Sequence, residues 1–271
     1  MRVNVELLTV FADGPGGGNP CPVVTGADDL TDEQMRGVAQ RYGHESAFVL
    51  TPGDPAARLR LRYFVPRHEM EMCVHATVAA LSLLDEPGAL RVQTPLGLVN
   101  AEIDADGTVT VEQFRPVFGD PVAAAEELAA AMGCAPEQIG AARSVSVSRA
   151  KLMVDVTGLH ALQPDPDAVR RVCERLGVTG LYPFMVDEDG RVFARQFPRD
   201  SGYAEDPATG LAAAGLACLL AMRENADGRH SYEVRQGQAM GRPSLIRAHA
   251  TRVGGEVTRV AVSGRAVPWA E

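Results

Sequence analysis

Several features that would settle the class of this chain at once are missing from its sequence. No two cysteines fall at CxxC spacing; Cys21, Cys73, Cys134, Cys173 and Cys218 stand far apart. Their odd number, behind an N-terminus with no basic segment and apolar run, suggests reduced thiols and a cytoplasmic protein. The histidines (His44, His68, His75, His160, His230, His249) never form HxH or HxxxH, so no zinc site is expected. No stretch approaches the roughly 18 apolar residues that cross a bilayer, and no membrane association is expected. Positive charge is in deficit: 26 Lys+Arg against 35 Asp+Glu leave a net charge of −9. Such a surface repels a phosphate backbone, so no nucleic-acid partner is expected.

What is present is ordinary for a globular protein: 46% hydrophobic and 23% charged residues in a chain of 271. At about 150 residues per domain this length allows one large domain or two. Residues 2–10 alternate through Val3, Val5 and Leu7 as a strand. The loop Asp13-Gly14-Pro15-Gly16-Gly17-Gly18-Asn19-Pro20 excludes helix and strand by its glycines and prolines. It lacks Gly-Lys-Ser/Thr and is no phosphate loop. Thr31 with Gln34 forms a capping box, and Leu30 with Met35 a hydrophobic staple, for a helix ending at Gly43. Strands are expected at 45–51, 58–65, 90–94, 98–103, 108–113, 150–156, 181–186, 191–197, 231–236, 244–251 and 256–263. Helices are expected at 121–132 and 165–176, with buried Ala/Leu helices at 74–84 and 208–223. The order strands, central helix, strands occurs twice, an α+β pattern with much antiparallel sheet.

Two segments resemble each other. Arg62-Tyr63-Phe64-Val65-Pro66 leads into Glu71-Met72-Cys73-Val74-His75-Ala76-Thr77. Arg195-Gln196-Phe197-Pro198 leads into Glu205-Asp206-Pro207-Ala208-Thr209-Gly210. Each runs Arg-x-Phe, a proline loop, an acidic segment, Ala-Thr and a buried helix. Ala76 and Ala208 are 208 − 76 = 132 residues apart, close to half the chain. This self-similarity predicts one unit used twice. Two helix starts facing one cleft would present free N–H groups and positive dipole ends to a small carboxylate. His75, Asp206 and Cys73 beside them suit proton abstraction next to a carboxylate or carbonyl.

At these residues the sequence resembles the phenazine-biosynthesis PhzF-like isomerases, whose fold is that of diaminopimelate epimerase. Further matching pieces are Gly18-Asn19-Pro20, Glu45-Ser46-Ala47-Phe48-Val49 and Gln236-Gly237-Gln238-Ala239-Met240-Gly241-Arg242-Pro243-Ser244. The resemblance implies two similar domains, each a mostly antiparallel sheet rolled around a central helix, here 1–117 and 118–271, with the last strand able to return to the first. It implies a cofactor-free proton shift and a homodimer. Glu45 would move the proton, and His75 and Asp206 would bind substrate and assist. Amides at the helix starts, near Val74, His75, Thr209 and Gly210, would hold the substrate carboxylate. Two positions depart from the pattern: Val74 replaces the usual glycine of Cys-Gly-His, and Leu211 the usual serine of Ala-Thr-Gly-Ser. Both predict a narrower, more apolar pocket.

Each residue also has a plainer reading. Glu45 precedes an apolar strand, where a carboxylate is costly unless paired or functional. As a base it needs a pKa raised by desolvation. His75 alone reads equally as a satisfied core histidine. Asp206 before Pro207 fits an N-cap with proline at N1. Cys73 reads as a small buried apolar residue, and the corresponding segment of the second half, Pro207-Ala208-Thr209-Gly210, has no cysteine to complete a two-thiol racemase. Asn19 is either a turn residue or part of the cleft wall. Residues 236–244 form a cleft-edge loop, with Met240 in the core; Trp269 covers a core edge. The expected function is a proton or double-bond shift in a small unsaturated carboxylic acid, cyclic and amino-acid-like, in specialised (antibiotic-type) metabolism. The alternatives are an amino-acid racemase or epimerase on the same fold, and a small-acid-binding member impaired by Val74 and Leu211.

Overall fold

The structure is a computed structural model describing residues 4–84, 86–120 and 123–269. Val3 and positions 121–122 of the expected third helix lie outside the described residues. The first half runs β1 (Val5–Val10), β2 (Asn19–Val24), α1 (Asp32–Tyr42), β3 (Ser46–Leu50), β4 (Leu59–Phe64), β5 (Glu69–Met70), α2 (Val74–Leu81), β6 (Gly88–Thr94), β7 (Gly97–Ile103) and β8 (Val109–Gln113). It is followed by β9 (Val117–Gly119), α3 (Ala125–Met132), β10 (Ile139–Ser146), β11 (Lys151–Val156), α4 (Pro166–Leu176), β12 (Gly180–Val186) and β13 (Val192–Ala194). The chain closes with β14 (Phe197–Pro198), α5 (Gly210–Ala221), β15 (Gly228–Gln236), β16 (Ser244–Val253), β17 (Glu256–Gly264) and β18 (Ala266–Pro268). Among the described residues no helix is long and apolar enough to cross a membrane.

One pairing scheme is used twice. Antiparallel β1–β2 is followed by parallel β2–β3 across α1, antiparallel β3–β4, parallel β4–β6 across α2, and antiparallel β6–β7–β8. Antiparallel β10–β11 is followed by parallel β11–β12 across α4, antiparallel β12–β13, parallel β13–β15 across α5, and antiparallel β15–β16–β17. The parallel pairs need crossovers, which the helices provide. β17 pairs with β8, and β18 with β1. The architecture is α+β.

Sequence accounts for the main elements. α1 has its capping box: Gln34 N donates to Thr31 Oγ1 at 3.3 Å and Thr31 N to Gln34 Oε1 at 2.8 Å. Gly43 closes it in the left-handed conformation at φ 70°. β4 alternates as its sequence does, with Leu59, Leu61 and Tyr63 buried and Arg60 exposed. Every residue of α2 and of α5 is buried, so each helix forms the centre of the apolar core that its sheet surrounds.

Three expectations need correction. The glycine loop ends earlier, because Asn19 and Pro20 already belong to β2. That strand tolerates Pro20 and Pro22 because β3 pairs with it only at Val23 and Val24, beyond both prolines. Gly17 and Gly18 serve close backbone approach: a Cβ on Gly17 would lie 2.1 Å from Pro243 O, and Gly18 N donates to that same oxygen at 3.1 Å. The strand expected at 191–197 is broken at Arg195 and Gln196, where Arg195 turns into the interior. Met240 is 37% exposed rather than in the core, because residues 238–240 form a surface 3-10 turn.

The repeated Arg-x-Phe carries the same interaction in both halves. Arg62 makes a two-pronged contact with Glu69, at 2.7 and 2.6 Å, and lies over Phe64 at 5.1 Å. Arg195 does the same with Glu205, at 2.9 and 2.7 Å, and lies over Phe197 at 5.0 Å. The second pair is the more buried, with side-chain exposures of 8% and 11% against 15% and 34%. Removing one charge from a buried pair strands the other. Glu205→Gln is therefore expected to cost about 3 kcal/mol in urea unfolding, and Glu69→Gln about 1 kcal/mol or less.

Candidate active site

Glu45 is placed by the turn after Gly43, immediately before β3. Its carboxylate accepts two hydrogen bonds and faces His75. Tyr203 Oη donates to Oε1 at 2.9 Å, and Cys73 Sγ to Oε2 at 3.2 Å. His75 Nδ1 stands 3.1 Å from Oε2. Cys73 is the N-cap of α2 and His75 its second residue, so a single helix start aims both at Glu45.

Asp206 lies on the approach to α5. Its Oδ1 accepts from Asn19 Nδ2 at 2.7 Å and its Oδ2 from Thr209 Oγ1 at 2.5 Å. Asn19 Nδ2 also donates to Ala208 O at 2.9 Å, so Asn19 stands behind Asp206 and is not part of the cleft lining. Gln236, at the end of β15, braces the same turn. Its Nε2 donates to Asp206 O at 2.6 Å, and its Oε1 accepts from Tyr182 Oη at 2.9 Å and Thr209 N at 3.2 Å.

The two groups meet in one cavity. Glu45, Cys73 and His75 line it from the first half, Asp206, Thr209 and Leu211 from the second. Its volume is about 40 Å³, room for on the order of three waters, so the walls must part to admit a substrate. Val74 and Gly210 close its floor: a Cβ on Gly210 would lie 2.7 Å from Val74 Cβ and Cγ1. Neither α2 nor α5 has a side-chain cap at its start, leaving first-turn N–H groups free for an anion. Apolar and polar groups share the lining: Met70, Met72, Val74 and Leu211 stand with Arg149, Lys151 and Gln196. A larger concavity of about 810 Å³ lies on the outer sheet face, lined by Arg91, Glu112 and Arg259 among others, and contains none of these groups.

The two carboxyl groups are driven apart. Burial pushes Glu45 up, but the His75 interaction, the Cys73 and Tyr203 hydrogen bonds and the Arg149 charge outweigh it, and its pKa falls below the ordinary value. This corrects the expectation of a raised value: the interaction with His75, two hydrogen bonds and the Arg149 charge overcome desolvation. Asp206 goes the other way, pushed up to about 8 by burial and by the Glu45 charge, against Thr209, Lys151 and Asn19. Burial lowers His75, opposed by Glu45, so its imidazole is neutral at neutral pH. Its Nδ1 also stands 3.3 Å from Cys73 Sγ, and its Nε2 is buried and has no partner among the described residues. Burial and the Glu45 charge keep the Cys73 thiol protonated.

A sequence model of a family described as phenazine biosynthesis-like protein matches residues 8–271. The chain belongs to the PhzC-PhzF family. The Bacillus subtilis protein named uncharacterized isomerase YfhB is 31% identical over 285 residues, covering 98% of this chain and 96% of that one. A Bacillus anthracis PhzF-family phenazine biosynthesis protein superposes with a TM-score of 0.88 at 27% identity, covering 100% of this chain and 98% of that one. A hydroxyproline epimerase from Agrobacterium vitis shares the fold, with a TM-score of 0.65 at 15% identity over 98% of this chain and 91% of that one. This PhzC-PhzF member is thus an isomerase with the diaminopimelate epimerase-like fold.

Glu45, Cys73 and His75 offer three ligand atoms within 4.8 Å of one another, the arrangement in this PhzF-family site most like a metal centre. Hydrogen bonding already explains that spacing, and a protonated thiol is a poor ligand. Sequence reasoning missed Tyr203, Gln196, Lys151, Arg149 and the bracing role of Gln236. Gln196 alone had a signal, its place in the repeated Arg-x-Phe. The Val74–Gly210 contact yields a prediction. Gly210→Ala is expected to cost about 1–3 kcal/mol by overpacking. Adding Val74→Gly should recover most of that in a double-mutant cycle followed by thermal unfolding.

Proposed function

We propose that this isomerase shifts a proton, and with it a double bond, along a small unsaturated carboxylic acid. The observation that carries the reading is the split between two carboxyl groups lining one cavity: Glu45 held as an anion, Asp206 held as an acid. Such a pair supplies base and acid together. Glu45 removes the proton from carbon, and Asp206 protonates the far end of the allylic anion. His75, neutral, accepts a substrate hydrogen bond at Nε2. The free N–H groups at the starts of α2 and α5, at Val74, His75, Gly210 and Leu211, bind the substrate carboxylate and stabilise charge that develops next to it. The family's description, phenazine biosynthesis-like, supports a role in specialised metabolism. A two-thiol racemase finds less support, because the Cys73 thiol is protonated and the second half brings Asp206 rather than a cysteine.

Deuterium incorporation into unsaturated acids, followed by NMR in D2O with chiral analysis of the product, tests this. Glu45→Gln should slow exchange about 10²–10⁴-fold; a variant with full exchange would remove Glu45 from the role of base. Glu45 works once ionised, so the rate rises with pH through a value below the ordinary carboxylate range. Asp206 works while protonated, so the rate falls above about pH 8. Lys151 also titrates at about 8. Asp206→Asn should therefore abolish the alkaline fall while Lys151→Met retains it; the reverse pattern would remove Asp206 from the role of acid.

A further inference from the structure

The cavity has a second polar end that the proton shift does not use. Lys151 opens β11 and is only 8% exposed. Among the described residues its ammonium makes one hydrogen bond, a long one of 3.4 Å to Thr179 O, and no ion pair with a carboxylate. A buried ammonium has three protons to place, so two lack partners. On the same lining is Gln196, 1% exposed, whose Oε1 and Nε2 both have no partner among the described residues. A buried amide left wholly unpaired is costly and calls for an explanation.

The repeat shows that this deficit belongs to one half only. Tyr63 occupies the position of Gln196 in the first copy, and its hydroxyl is paired with Thr77 Oγ1 at 2.8 Å. In the second copy the matching Thr209 is bonded to Asp206 and Gln236 instead, which leaves the Gln196 amide free. Gly180 makes room for it: a Cβ there would lie 2.1 Å from Gln196 Nε2. Arg149 adds a second cation to the same end, and its only ion pair among the described residues is a loose one, 3.7 Å from Glu71. Two neighbouring cations and a free amide donor make a site for an anion.

We propose that Lys151 and Gln196, with Arg149 at the rim, bind a second carboxylate of the substrate, so that the acid this enzyme isomerises is a compact dicarboxylate. One carboxylate lies at the helix starts beside the carbon that loses its proton. The other accepts from Lys151 Nζ and Gln196 Nε2. The inference rests on the proposed proton shift, and adds that the substrate is charged at both ends.

Glutaconate and 3-pentenoate test it, because they share a five-carbon unsaturated skeleton and differ by a carboxylate in place of a methyl group. Calorimetric titration of the unmodified protein should show glutaconate binding at least about tenfold tighter. Lys151→Met should erase that preference and leave 3-pentenoate affinity unchanged. Gln196→Leu, which keeps the charge, should reduce the preference severalfold and serves if Lys151→Met does not fold. Equal affinities, no binding of either acid at millimolar concentration, or a preference that survives both substitutions would overturn the proposal. Because binding is read without turnover, the two readings can fail separately. A Lys151-dependent preference without deuterium exchange refutes only the proton shift. Exchange into 3-pentenoate, with equal affinities, refutes only the dicarboxylate.

Discussion

The structure depends on two helices that have no side facing water. α2 and α5 are buried around their whole circumference and almost wholly apolar, with only His75 and Thr77 of α2 polar, and such a helix must be enclosed. In each half the sheet encloses it by running antiparallel, crossing over and running antiparallel again. Only the ends of the helices then remain for polar chemistry. Their starts meet at Val74 and Gly210, so the free N–H groups of both converge on one small cavity. Burial of the helices and placement of the site are a single constraint.

That cavity treats two similar side chains in opposite ways. Burial pushes both Glu45 and Asp206 up. Glu45 escapes through its interaction with His75 and the hydrogen bonds of Cys73 and Tyr203. Asp206 has Thr209 and Asn19 and also feels the charge of Glu45, which raises it further. The charges around each group separate the two, and the duplicated framework supplies different neighbours in its two copies. The divergence of Tyr63 and Gln196 at one repeated position is of the same kind, since one copy satisfies itself and the other leaves its polar group to the cavity.

Much of this was legible in the sequence because it is local or periodic. The Thr31–Gln34 capping box, the alternation in Leu59–Phe64 and the Ala/Leu helices follow from neighbours within a few residues. The repeat was legible because both copies keep Arg-x-Phe and Ala-Thr, and the structure gives each arginine the same glutamate and ring contacts. β2 was hidden by Pro20 and Pro22, and β10 by an Ile-Gly-Ala-Ala start with no alternation. The bond between Tyr203 and Glu45 spans 158 residues and that between Asn19 and Asp206 spans 187; no spacing rule reaches so far. Lys151 looked like the polar first residue of a strand, and only its burial separates it from any other lysine. The lowered pKa of Glu45 was out of reach for the same reason, since it depends on donors brought by distant segments.

The pairing of β17 with β8 and of β18 with β1 bears on how the chain is made. The sheet around the first helix is completed by strands that are synthesised after the rest of the second half. Until they arrive, β1 and β8 each present an open edge of unpaired backbone groups, the kind of edge that recruits other strands. Each therefore spends much of synthesis with one of its two native partners still missing.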